Sequence, residues 1–164
     1  MSSETDRIEK QIVLQAPIER VWRAVSDSRE FGQWFGVELD GPFVEHQRLT
    51  GKVVPTKADA EVAKSQEPYA GTAFEIQVER IEAPHRMAFR WHPFAAERDV
   101  DYSSEPTTLV VFELRQQGKA TLLTITESGF DRIPLARRAQ AFAMNEQGWA
   151  LQAKLIEKYL ASGA

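Results

Sequence analysis

With 164 residues, 43% of them hydrophobic and 27% charged, the chain suits one domain, large enough to bury about two thirds of its unfolded surface. A formal charge of −4, with lysine and arginine spread along the sequence, supplies no basic stripe for a phosphate backbone and argues against nucleic acid as a partner. The lack of cysteine excludes disulfides, thiolate metal sites and cysteine nucleophiles.

Residues 1–7 read as a disordered polar tail without the apolar core of a signal peptide, and no run is long enough to cross a bilayer, so the expectation is a cytoplasmic protein. One domain is expected over residues 8–164, with no internal repeat. Ile8 to Gln15 is rich in branched residues and reads as a strand. Pro17 sits where a helix can begin at little cost, and Ile18, Val21, Trp22 and Val25 follow at helical spacing. Asp27 and Ser28 interrupt that pattern, and Ser28 is the expected cap of a second short helix. Its apolar face is Phe31, Trp34 and Phe35, with Gly36 to end it.

The middle of the chain changes period. Gly41-Pro42 marks a turn, residues 43–54 read as one or two weakly patterned strands, and residues 56–71 as a polar loop. From Thr72 onward the period is two: Phe74, Ile76 and Val78 alternate with Glu75, Gln77 and Glu79. Beyond the turn at Ala83-Pro84-His85, Met87, Phe89 and Trp91 alternate with Ala88, Arg90 and His92. A second polar loop is expected over residues 93–106. Val110, Phe112 and Leu114 then form a strand that returns through Gln117-Gly118 into Ala120 to Ser128, carrying Leu123 and Ile125. Beyond Pro134 the residues are good helix formers, with Phe142, Trp149, Ala153, Ile156 and Leu160 on one stripe. Gly148 inside this helix costs about 1 kcal/mol relative to alanine and implies either a close approach to the sheet or a bend.

The order is strand, two short helices, antiparallel strands and one long helix, which defines an α+β layer arrangement. The last helix is the expected cover for the sheet's apolar face. A single helix over a wide, curved sheet predicts an apolar cavity between them, and such concave spaces are the usual ligand sites.

Ala16-Pro17 with Val21-Trp22, then Trp34-Phe35, Glu127-Ser128-Gly129-Phe130 and Gly148-Trp149 with Ala153, Ile156 and Leu160 resemble the START-like, or Bet v 1-like (SRPBCC), superfamily with the helix-grip fold. Within it the likeness is to the branch of the activator of Hsp90 ATPase homologue (AHSA1-like), from Ile8 to Leu160. The resemblance implies a curved antiparallel sheet wrapped around the long C-terminal helix, with a cavity open at one end. Members bind lipids, sterols, hormones and polyketides; some are cyclases or dehydratases, and some stimulate Hsp90. The polar inserts at 56–70 and 94–106 depart from the commonest members and would border the cavity mouth.

The expected lining is Phe74, Ile76, Met87, Phe89, Trp91, Phe112, Phe142, Trp149 and Ile156, with Tyr102 from the second insert. Regularly spaced aromatics also fit a filled core. Tyr102 and His92 are candidates for ligand contact at the entrance, against a reading in which alternation puts Arg90 and His92 on the outer face. His46, His85 and His92 lack ligand spacing, so no metal site is expected, and no cofactor motif or nucleophile elbow is present. Arg132, Arg137 and Arg138 read as a solvated face. The leading expectation is binding of a small apolar or aromatic ligand without catalysis, by a monomer or homodimer. The alternatives are a co-activator of an Hsp90-type chaperone partner and an enzyme of the polyketide cyclase or dehydratase kind.

Overall fold

Seven strands form one antiparallel sheet in the order β1-β7-β6-β5-β4-β3-β2 in the computed structural model, which describes residues 7–92 and 105–162. The strands are β1 (Arg7–Leu14), β2 (Val37–Leu39), β3 (Arg48–Val53), β4 (Ala73–Glu82), β5 (Arg86–Trp91), β6 (Thr108–Gln117) and β7 (Ala120–Ser128). Helices α1 (Ile18–Ser26) and α2 (Ser28–Phe35) follow the first strand, α3 (Ala60–Gln66) lies between β3 and β4, and α4 (Leu135–Ala161) ends the chain. The helix-grip α+β architecture expected from the sequence is the one observed.

Alternation sets the inner face. Thr121, Leu123, Ile125 and Glu127 of β7 are all buried, as are Thr108, Val110, Phe112 and Leu114 of β6. The register places Phe112 opposite Ile125 and Val110 opposite Glu127, and carries β5 across with Phe89 opposite Val110 and Trp91 opposite Thr108. A one-residue slip would turn each of these side chains to water, so the apolar face holds the register.

Much of the space under this sheet is taken by α2 rather than α4. Phe31 and Trp34 are wholly buried, and the Phe31 ring lies 5.0 Å from Trp34, 4.8 Å from Phe35, 5.5 Å from Phe43, 6.5 Å from Phe89 and 6.2 Å from Phe112. Trp34 Nε1 donates to the Ala24 carbonyl at 2.9 Å, which satisfies the indole inside the core and ties α2 to α1. The cap of α2 is Asp27, one residue before the expected Ser28; its Oδ1 accepts from the backbone N–H groups of Arg29 and Glu30. Gly36 ends the helix at φ 97°, in the left-handed region glycine adopts without strain.

Three further differences from expectation have local causes. The segment expected to be a loop contains α3, whose residues are all at least partly exposed. It has no apolar stripe to detect; it is set instead by Asp59, which caps it and pairs with Lys158 of α4. The weakly patterned 43–54 region contributes only β3, and β2 forms earlier, directly after Gly36. Arg137 is not simply solvated: its guanidinium forks onto Glu105 at 2.8–3.2 Å, with both side chains only 18% exposed. Arg138 donates to the Ile133 and Asp131 carbonyls.

α4 is clamped near its C-terminal end. Tyr159, 5% exposed, donates its hydroxyl to Glu30 at 2.8 Å, and Glu30 also pairs with Arg20 and Arg23, so one carboxylate joins α1, α2 and α4. Burial, followed by the bond to Glu30, raises the Tyr159 pKa above the ordinary phenol value. A raised folded value contributes stability that is intact below about pH 10 and is lost as pH climbs through the folded pKa. Tyr159→Phe is therefore expected to flatten the alkaline fall in stability, read by denaturant titration at a series of pH values above about 9.

Gly32 gives a second test. A Cβ there would lie 2.2 Å from the Val37 carbonyl oxygen, a backbone atom that cannot rotate away. Gly32→Ala is expected to lose about 1–3 kcal/mol of unfolding free energy by urea titration.

Candidate functional site

Continuing the inward phase of β7 by two residues beyond Ile125 brings a glutamate, not a hydrocarbon, into the interior. Glu127 is fully buried. Its Oε1 accepts from Trp149 Nε1 at 2.7 Å and Asn145 Nδ2 at 2.9 Å. Its Oε2 accepts from Thr108 Oγ1 at 2.5 Å, Trp91 Nε1 at 2.8 Å and Asn145 Nδ2 at 3.0 Å. Buried charge is tolerated when every lone pair is met, and this carboxylate meets that condition with neutral donors alone. No ion pair to it exists among the described residues.

The donors come from three elements: Trp91 from β5, Thr108 from β6, and Asn145 with Trp149 from α4. Sheet geometry brings the first two to β7, since Trp91 faces Thr108 and Glu127 sits diagonally across from Thr108. Helix spacing supplies the others, because residues 145 and 149 lie one turn apart on the same side of α4. An indole N–H only donates, so Glu127 fixes the orientation of both tryptophans. Their rings stand 5.5 Å apart at an interplanar angle of 29°. Phe35 completes the group at 6.0 Å from each.

Against this ring group lies a small open cavity of about 80 Å³, bordered by Phe35, Trp91, Asn145, Gly148, Trp149 and Gln152. Gln152 donates Nε2 to the Phe35 carbonyl at 3.1 Å, while its Oε1 is buried without a hydrogen-bond partner among the described residues. A Cβ built on Gly148 meets nothing within 4 Å among the described residues, so the close approach to the sheet, one of the sequence's two reasons for this glycine, is not what its surroundings require. It borders empty space.

A wider trough of about 690 Å³ lies on the surface beside Trp22 and Leu39–Phe43. Three of its polar groups are already engaged: Arg23 with Glu30, Asp27 with the α2 amides, and Asp40 with Thr50. The smaller cavity, with its aromatic wall and unpartnered oxygen, is the better candidate.

Of the residues named from sequence, Trp91 and Trp149 border the cavity, and Phe74 packs behind it at 5.9 Å from Phe35 and 6.0 Å from Trp91. Ile76, Met87, Phe89, Phe112 and Ile156 are each at most 1% exposed and lie in the core cluster. Phe142 pairs instead with Phe130 at 5.2 Å. Tyr102 lies outside the described residues. Arg90 bonds Glu79 at 3.1 Å on the outer face, and His92 Nδ1 is buried without a partner among the described residues. Sequence reasoning missed Glu127, Asn145 and Gln152 as site residues. The available signal was a charged residue at an inward position of a strand, and amides on the same helical stripe as Trp149.

Among the described residues no group of three or more His, Asp or Glu could hold a metal ion, and no helix is long and apolar enough to cross a membrane. Glu127→Gln replaces one acceptor oxygen with an NH2 facing indole and amide donors. The substitution is expected to cost about 2–3 kcal/mol by urea titration and to shift tryptophan emission as the indoles lose their anchor.

Comparison with known proteins places this geometry in context. A protein of the dynemicin biosynthetic locus, DynU16, is 26% identical, with a TM-score of 0.67 over 96% of this chain and 48% of its own. The chain thus spans about half the length of that protein. A protein from Arthrobacter aurescens is 18% identical, with a TM-score of 0.74 over 99% of this chain and 90% of its own. MLL2253 from Mesorhizobium loti is also 18% identical, with a TM-score of 0.70 over 96% and 98%. The last two speak to fold alone. No curated protein matches the sequence. A family model described as activator of Hsp90 ATPase homolog 1-like protein matches residues 15–161, and on that match, which covers most of the domain, the chain belongs to this family.

Proposed function

We propose that the protein binds a small aromatic or apolar molecule in the cavity between Trp91, Trp149 and Gly148. The observation that carries this reading is a glycine inside a 27-residue helix, facing open space beside an anchored pair of indoles. Glycine there costs about 1 kcal/mol relative to alanine, and no neighbouring atom of the described residues requires it. What it preserves is room for a guest against the rings.

The polar lining favours binding over acid–base catalysis. Among the described residues, the side chains that could hydrogen-bond a guest at the cavity wall are Asn145 and Gln152, neither of which titrates. The nearby acid, Glu127, is buried and occupied by its five donor contacts. The core cluster of Ile76, Met87, Phe89, Phe112 and Ile156 supports this wall from behind. A chaperone partner of the Hsp90 type rests on the family's description alone.

Indole N–H signals in a two-dimensional NMR spectrum provide the test. Titration with benzyl alcohol and benzylamine is expected to move the Trp91 and Trp149 signals and leave that of Trp34, bonded to Ala24 inside the core, in place. Gly148→Leu is expected to abolish the response while the variant stays folded, because its side chain enters open space. If both probes leave all four indole signals unmoved, or move only Trp22 beside the surface trough, the cavity is not a binding site.

A further inference from the structure

We infer that the guest of this cavity is an organic cation, a small ammonium group carried on an apolar or aromatic body. The inference rests on the binding reading above and adds the ligand's charge.

Three independent features have the same sign. First, Glu127 lies one side chain behind the cavity wall, since Trp91, Trp149 and Asn145 each touch both. Its hydrogen bonds come from two indoles, an amide and a hydroxyl, all neutral, so they solvate the charge without cancelling it. Among the described residues no lysine or arginine borders the cavity. A buried carboxylate with no counter-ion among the described residues projects a negative potential into the adjoining low-dielectric space.

Second, the amide groups at the wall present oxygen. The Phe35 carbonyl and the Glu127 carboxylate are acceptors, so Gln152 must turn Nε2 to the first and Asn145 must turn Nδ2 to the second. That leaves Gln152 Oε1, buried and unpartnered, and Asn145 Oδ1, without a hydrogen bond among the described residues, for a guest. Both sites accept; neither can donate. A carboxylate guest would find no free donor among the described lining residues, whereas an ammonium group donates three hydrogen bonds.

Third, the apolar wall is aromatic. The faces of Trp91, Trp149 and Phe35 carry the negative part of the ring quadrupole, and tryptophan is the strongest of these in attracting a cation. Aliphatic residues would have given the same apolar volume without this preference. The cavity's small size, about 80 Å³, suits the ammonium end of the guest rather than its whole body.

Isothermal titration of the full chain at pH 7 with benzylamine, benzyl alcohol and benzoate separates the possibilities. Benzylamine is expected to bind about tenfold more tightly than benzyl alcohol, with benzoate showing no heat of binding. Gln152→Met, which keeps the length but removes the free oxygen together with the Nε2 bond to Phe35, is expected to weaken benzylamine about fivefold and benzyl alcohol less than about twofold, with a small fall in melting temperature from the lost bond. If benzyl alcohol binds as tightly as benzylamine, the charge inference is overturned and the binding site remains. If benzoate binds best, the potential at the wall has the opposite sign and the inference is likewise overturned. If none of the three binds, both readings fall together.

Discussion

The carboxylate of Glu127 is the constraint on which the site depends. A charged group at an inward position of β7 would be intolerable in a hydrocarbon core, because desolvating it without partners costs several kcal/mol. It persists because residues from β5, β6 and α4 converge on it with donors and no competing acceptor. That convergence works in both directions. The donors stabilise the anion, and the anion fixes how the indoles of Trp91 and Trp149 stand. A leucine at this position could pack the same region, yet it would leave two indole N–H groups and one amide without partners, and the ring stack without a defined orientation.

A second constraint explains why the cavity is small. The sequence predicts that one terminal helix covers the sheet and leaves room beneath it. The helix does cover the sheet, but α2 fills most of the room first. Phe31 reaches five other rings, and the cluster of Phe31, Trp34, Phe89 and Phe112 is wholly buried. Rings in edge-to-face contact pack near the density of a crystal and leave little void. The remaining opening lies where this packing meets the polar anchor, at Phe35, Trp91 and Trp149. Its character is consequently mixed: apolar along the rings and polar along α4.

Much of the fold was legible because its signals are strong and local. Period-two alternation from Phe74 to Ile125 exposes the sheet face, and the break at Asp27-Ser28 separates two short helices. The site was less legible. Trp91 and Trp149 stood out as inward aromatics, but the residues that orient them are polar and lie on three elements far apart in sequence. Reading β7 for its hydrocarbons stops at Ile125, although the same phase continues to Glu127. The amides of α4 were hidden for a related reason: Asn145 and Gln152 lie on the stripe of Trp149, where a search for apolar spacing passes over them. α3 shows a further limit, since a helix held by an Asp59 cap and a Lys158 pair carries no apolar period. Pairing across long sequence separations, as with Arg137 and Glu105, is likewise invisible to a local pattern.

The two ends of α4 divide the work of this arrangement. From Leu155 to Tyr159 the helix is held by buried Leu155 and Ile156, by the Tyr159–Glu30 bond and by Lys158 on Asp59. Toward its start Leu135 is 78% exposed and Met144 42% exposed, while Arg137 on Glu105, Arg138 on the Ile133 and Asp131 carbonyls, Phe142 on Phe130 and buried Ala141 hold it in place. Asn145, Gly148, Trp149 and Gln152 sit between these regimes. Local stability follows burial and anchoring, so the clamped end gives Trp149 and Gln152 a fixed base, and the turn containing Asn145 and Gly148 is held through the two Asn145 bonds to Glu127. The rings of this wall are oriented from the Glu127 side, and the small cavity lies on the other. The glycine that weakens the helix at this point is consistent with that division, because the backbone it loosens lies beside the space it leaves open.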